Sequence, residues 1–295
     1  MEIYCGNKLF FNNVTDQCFN QLTHNNILII PASNDVRISL FGNISPDNIH
    51  HIGIKTNDKL FLLDNSSKII IQVDKKILYD INEQYIDNIV DSIHSSLSIN
   101  YGLLNDKLSN QKMSVMFLSG NEKVLEIGGN IGRNSLIISS ILSDSSNLVS
   151  LESSHSIYKQ FVENRDTNRH KFHIENSALS KRRLIQRDWN TTPSEELWSG
   201  WEWVNTITYD ELQNKYNIVF DTLVLDCEGA FFYILQDFPD MLNNINLIIM
   251  ENDYQDINQK RYIDTVLENN NFYPIYREAG GWGYCFNNFF EVWKR

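Results

Sequence analysis

The sequence predicts an α/β protein: a doubly wound, Rossmann-like sheet with an antiparallel last strand, preceded by a small all-β domain. Three observations carry that prediction. After Lys123, strand-length apolar runs alternate with runs of helical spacing. A glycine turn, Gly128-Gly129-Asn130-Ile131-Gly132, joins the first of these strands to the helix that follows. Before about residue 80, only short β-type runs occur, separated by polar turns.

The elements read in order as follows. Residues 27–30, 36–41, 51–56, 59–63 and 68–73 are the N-terminal strands. Asn57-Asp58 and Asp64-Asn65-Ser66-Ser67 fall between consecutive runs, where hairpin turns are expected. This domain of residues 1–80 shows no motif, and substrate binding or homo-oligomerisation are its candidate roles. Apolar residues then recur at helical spacing (Tyr85, Ile86, Ile89, Val90, Ile93, Leu97), predicting a helical connector over 81–109. Residues 110–295 hold the larger domain. Its strands are expected at 124–127, 147–152, 172–174, 222–226 and 246–250, with helices at 230–242 and 258–270. The runs 272–276 and 284–293 are joined only by a short loop at Gly280-Gly281-Trp282-Gly283, so they must pair antiparallel.

Composition narrows the function classes. With 25 basic against 37 acidic residues the formal charge is -12, which speaks against broad binding to nucleic acid or an anionic membrane. A hydrophobic content of 42% suffices for a proper core. The four cysteines are scattered, with no zinc or disulfide spacing, so a reduced, cytoplasmic protein is expected. The first residues lack the pattern of a signal peptide, and the longest apolar runs are of strand length, too short to span a bilayer.

The glycine turn reads G-G-x-x-G. It differs from the G-x-G-x-x-G of dinucleotide folds, and no Lys-Ser/Thr follows as in a P-loop. Gly128, Gly129 and Gly132 permit backbone angles and a ligand approach that a Cβ forbids. Glu152 ends the second strand about twenty residues later, where an acid holds ribose hydroxyls in nucleotide-binding sheets. Glu126 is a second acid, on the first strand. Asn130 either bonds a ligand carboxylate or caps the helix. Only Arg133 is basic in the turn, which favours an adenosine ligand without phosphates.

The order and motifs resemble S-adenosylmethionine-dependent methyltransferases of the FkbM type. The resemblance covers residues 110–295 and rests on three segments: Leu125-Glu126-Ile127-Gly128-Gly129-Asn130-Ile131-Gly132, Thr206-Ile207-Thr208-Tyr209-Asp210-Glu211-Leu212, and Val224-Leu225-Asp226-Cys227-Glu228-Gly229-Ala230. It implies S-adenosylmethionine held by Glu126, Gly128, Gly129, Asn130, Gly132 and Glu152, with Ser177 and Ala178 near the adenine. It also implies O-methyl transfer to a sugar, nucleotide sugar or glycan. Two residues depart from the pattern. Val224 stands where the family has a lysine, and Phe231 where an acid is usual. The first departure also removes one lysine of the Lys–Asp–Lys–Glu tetrad found in RNA ribose methyltransferases.

A hydroxyl must lose a proton to accept a methyl group, so a base or a metal is expected nearby. Asp226, Glu228 and Glu251 are the catalytic candidates. Asp226, Glu251 and Asn252 also resemble the ligand set of catechol-type enzymes, which makes Mg²⁺ a candidate. The plainer alternative is that Asp226 and Glu228 order the loop and cap the next helix. For the acceptor, Arg182 and Arg183 lie in the basic stretch 165–187 and could clamp a phosphate, while Trp201, Trp203 and Trp282 offer stacking faces. The alternatives there are a solvated charged face and an apolar packing patch. Two further functions stay open: a catalytically weak methyltransferase-fold binding protein, and an RNA ribose methyltransferase.

Overall fold

The computed structural model describes residues 1–7, 11–24, 26–47, 49–56, 59–74 and 77–295. It forms two compact units, Met1–Ile89 and Val90–Arg295. The boundary falls inside the helix Glu83–Ser96, which lies within the stretch 81–109 together with the 3₁₀ turn Leu104–Lys107.

The first unit holds two antiparallel four-stranded sheets. In one, the order is Phe11–Asn13, Glu2–Gly6, His51–Lys55, Leu60–Leu63; in the other it is Thr23–His24, Ile27–Ile30, Ser67–Gln72, Ile77–Asn82. Ile3, Cys5, Leu28, Ile30, Ile52, Ile54, Ile69 and Ile71 form its core, as strand alternation places them. The unit is not all-β. Thr15–Gln21 is a short helix, and the expected strand over 36–41 is part of the helix Asn34–Phe41. Arg37 decides the latter. It is fully buried and donates to the carbonyls of Pro31, His50, Asp64 and Ser67, while Phe41, one turn on, enters the core. The segment 64–67 does not close a hairpin: its flanking strands belong to different sheets. Asn57 and Asp58 lie outside the described residues.

The second unit is built on seven strands: β1 (Val124–Ile127), β2 (Leu148–Leu151), β3 (His173–Glu175), β4 (Thr222–Leu225), β5 (Leu247–Glu251), β6 (Tyr273–Glu278) and β7 (Phe290–Lys294). Their order is β3-β2-β1-β4-β5-β7-β6. All pairings are parallel except those of β7, which runs antiparallel to both β5 and β6. This is a Rossmann-like, doubly wound sheet with an antiparallel last strand. Six helices accompany it: α1 (Leu108–Phe117), α2 (Arg133–Ile141), α3 (His155–Thr167), α4 (Tyr209–Tyr216), α5 (Phe231–Asp237) and α6 (Ile257–Asn269). Leu125, Val149, Leu223 and Ile248 point to the face covered by α4, α5 and α6.

Local chemistry sets several ends. Thr208 and Glu211 form a reciprocal capping box at the start of α4, which gives the Thr206–Leu212 motif a structural reason. The helix expected over 230–242 breaks at Phe238, because the residue before Pro239 is driven out of the α region; a 3₁₀ turn, Pro239–Asn244, follows. The strand expected over 284–293 begins only at Phe290, after the 3₁₀ turn Gly283–Asn288. Between β3 and α4 an insert forms a small antiparallel sheet of Leu184–Arg187, Asn190–Pro193 and Glu202–Val204. Among the described residues, no helix is long and apolar enough to cross a membrane.

Candidate active site

The glycine turn sits at the C-terminal end of β1, between β2 and β4. Gly128 has φ +91°, and the N–H groups of Gly128 and Gly129 donate to the carbonyl of Leu151 at 3.0 and 2.9 Å. A Cβ on Gly128 would lie 1.8 Å from the carbonyl oxygen of Asp226, and one on Gly132 would lie 2.3 Å from the Phe161 ring. Close packing therefore demands glycine here in its own right, and it presses the turn against the end of β4. Asn130 follows in a left-handed conformation (φ +51°), and its N–H donates to Glu152 at 2.9 Å. The other Glu152 oxygen accepts from the N–H of Ser154 at 2.7 Å. Burial pushes the Glu152 carboxyl above its ordinary range.

Lys107 is the residue that sequence reading missed. It ends a short 3₁₀ turn, Leu104–Lys107, just before α1. Its Nζ lies 2.7 Å from Asp226 Oδ2 and 3.1 Å from Glu251 Oε2. The ammonium thus bridges the ends of β4 and β5. Arg133 holds this segment in place, donating to the carbonyl of Leu103 at 2.9 Å and pairing with Asp106 at 3.1 Å. Burial disfavours the Lys107 charge, but Asp226 and Glu251 outweigh it and the lysine is held more strongly protonated than usual. Burial and the nearby Asp226 push Glu251 up to about 7. Beside them, Glu228 sits at φ +50°. Partial burial and a hydrogen bond shared with the Asp253 carboxyl push it up to about 8. Two carboxyls pushed up to near neutrality, Glu251 and Glu228, therefore lie at the neighbouring ends of β5 and β4.

Several expected residues have partners of their own. Glu126 is buried, accepting from Ser150 Oγ at 2.6 Å and from the hydroxyl of Ser135, and burial pushes it up to about 7. Val224 is its register partner on β4. A lysine there would have met Glu126; with valine, the acid has only hydroxyl and amide neighbours. Asn252 is withdrawn from the expected metal set: its amide donates to Glu291 at 2.9 Å and to the carbonyl of Asn288 at 2.7 Å. Lys107 lies between the other two expected ligands, and no cluster of three or more His, Cys, Asp or Glu residues suited to a metal occurs among the described residues. Ser177 is buried and donates to Glu175 at 3.3 Å, and the N–H of Ala178 donates to Asn205. Arg182 is engaged by Asp237 at 2.9 Å. Arg183 covers the Trp203 ring at 3.7 Å, and Arg187 lies over Trp201 at 5.2 Å. Trp282 is 69% exposed on the loop between β6 and β7.

The donor set has a clear chemical preference. The one basic residue of the turn, Arg133, is committed to Asp106 and Leu103. Carboxylates line the strand ends. Such an edge repels a pyrophosphate and suits a ligand with cationic groups and hydroxyls that Glu152 can accept from.

No family model and no curated protein matches this sequence. Solved structures do. An O-methyltransferase from Bacillus cereus in complex with SAH is 13% identical, with a TM-score of 0.43, over 72% of this chain and 91% of that one. Fibrillarin from Aeropyrum pernix with bound S-adenosyl-L-methionine is 10% identical, with a TM-score of 0.40, over 82% and 97%. A ribosomal protein L11 methylase from Lactobacillus delbrueckii subsp. bulgaricus is 11% identical, with a TM-score of 0.38, over 63% and 77%.

Proposed function

We propose that the second unit is an S-adenosylmethionine-dependent O-methyltransferase that acts on a sugar hydroxyl. The observation that carries this reading is Lys107 bridging Asp226 and Glu251 beside the glycine turn. S-adenosylmethionine, when bound, supplies an electrophilic methyl group on a sulfonium. Its hydroxyls suit Glu152, its positive charges suit the acidic strand edge, and it lacks the phosphates that this edge would repel. The chain's own residues then manage the acceptor proton. Glu251, pushed up to about 7, can take a proton from a hydroxyl at neutral pH. Lys107 stays charged, so it steadies the negative charge developing on the acceptor oxygen. Asp226 fixes the ammonium in place. Glu228 and Asp253 form a second pair able to pass a proton toward solvent.

Lys107 also weakens the case for a catalytically weak methyltransferase-fold binding protein, because it brings to the acids a lysine that position 224 does not supply. An RNA ribose hydroxyl is the second reading. It is favoured by Arg183 and Arg187, neither of which pairs with a carboxylate among the described residues. The test begins with calorimetric titration of the full chain by S-adenosylmethionine, followed by radiolabelled methyl transfer to glycan and RNA acceptors. Lys107→Met is expected to keep cofactor affinity within a few-fold while turnover falls by about 10²–10⁴. Unchanged turnover in this variant would remove Lys107 from the mechanism. Absence of cofactor binding by the native chain would sink the reading itself.

A further inference from the structure

We propose that the loop between β6 and β7 is an acceptor platform that selects an uncharged sugar ring; this rests on the reading above. Residues 279–290 contain no charged side chain. Within them, Trp282, Tyr284 and Phe286 are 69%, 71% and 52% exposed, whereas Cys285 and Phe289 are buried and anchor the loop. The N–H of Gly280 donates to the carbonyl of Phe286 at 2.9 Å, which closes the loop on itself. Its stem is tied to the reaction edge: the N–H of Asn252, next to Glu251, donates to the carbonyl of Phe289 at 2.7 Å. Phe290 is the register partner of Glu251.

The other aromatic set differs in kind. Trp203 and Trp201 carry guanidinium groups over their rings, which leaves those faces to cations rather than to a ligand. Among the described residues, no cation lies over the rings of Trp282, Tyr284 or Phe286. A pyranose ring presents electropositive C–H bonds, which match the negative face of an indole or phenol ring. A phosphate would meet no cation on this loop, and at the adjoining strand ends the ammonium of Lys107 is already held by Asp226 and Glu251. The ligand that fits is a neutral glycan, not a nucleotide sugar.

The full chain should be applied to an array carrying neutral glycans, sulfated and phosphorylated glycans, and single-stranded RNA. Neutral glycans are expected to be retained. Trp282→Ala and Tyr284→Ala should each weaken that binding about tenfold, and Trp282→Phe should hold it to within about twofold. Trp203→Ala, on the insert sheet, should leave it unchanged. Retention of no glycan, preference for anionic glycans or RNA, or loss in Trp203→Ala without loss in Trp282→Ala would each overturn the proposal. Calorimetry with S-adenosylmethionine on the same proteins separates the two layers. Cofactor affinity should be unchanged in every variant, and a native chain that binds glycan but no cofactor would refute the methyltransferase reading while the platform stands.

Discussion

Glu251 and Glu291 are near neighbours on adjacent strands, Met250 of β5 being the register partner of Glu291 on β7, yet they ionise in opposite ways. Glu251 shares the single ammonium of Lys107 with Asp226 and is pushed up to about 7. Glu291 is fully buried, which pushes it up, but Lys260 at 2.8 Å and Arg277 at 2.6 Å outweigh burial and hold it down to about 2. The amide of Asn252 at 2.9 Å and the indole N–H of Trp293 at 3.1 Å add two more donors. Burial is common to both. The number of cations and donors per carboxylate decides whether the group is a proton acceptor or a fixed anchor.

The largest expected effect comes from breaking the anchor. Glu291→Ala strands Lys260 and Arg277 in the interior and should cost about 3–5 kcal/mol of stability, read by urea denaturation. A loss below about 1 kcal/mol would mean that water or Asp264 takes over the role of Glu291.

Next in size is the pH dependence, where the two acids have opposite signs. Glu251 titrates near 7 in the fold against an ordinary 4.5, so its protonated form is favoured. Its contribution is fully present below about 4.5 and is lost as pH rises towards 7. Glu291 titrates near 2, so its contribution is present above about 4.5 and is lost as pH falls towards 2. Each should be worth about 3 kcal/mol over its whole window. Stability measured from pH 3 to 8 should therefore lose part of its neutral-side fall in Glu251→Gln and part of its acid-side fall in Glu291→Gln (roughly the windows just named). Parallel curves for the two variants would erase the distinction.

The smallest effect tests the same chemistry near the surface. Arg182 and Asp237, with the arginine side chain 31% exposed, form an ion pair outside both clusters. Arg182→Ala should cost only about 0.5–1 kcal/mol and should weaken less at high salt. A loss comparable to that of Glu291→Ala would show that burial is not what separates these pairs.

Much of the second unit is legible because its signals are local. The alternation of apolar periods and the glycine turn lie within a few residues of each other, and β1, β2, β4 and β5 fall within a residue or two of where the sequence puts them. The first unit is less legible. Residues 36–41 look like a strand by composition, but Arg37 finds four backbone carbonyls and the segment turns helical. No period predicts such a long-range set of acceptors. Arg182 and Asn252 show the same limit from the other side: their types suit a phosphate or a metal, and only packing reveals that Asp237 and Glu291 already hold them.

By itself the sequence determined the doubly wound sheet, its antiparallel last strand, the glycine turn and the acids at the ends of β2, β4 and β5, because each depends on turn chemistry and periodicity over short stretches. Only the tertiary structure decided what those acids do. Lys107 meets Glu251 across 144 residues of chain, where no spacing rule operates. Whether a carboxylate titrates near 7 or near 2 depends on burial and on the cations that the fold brings beside it. Those are properties of the assembled sheet, and no single segment of the chain contains them.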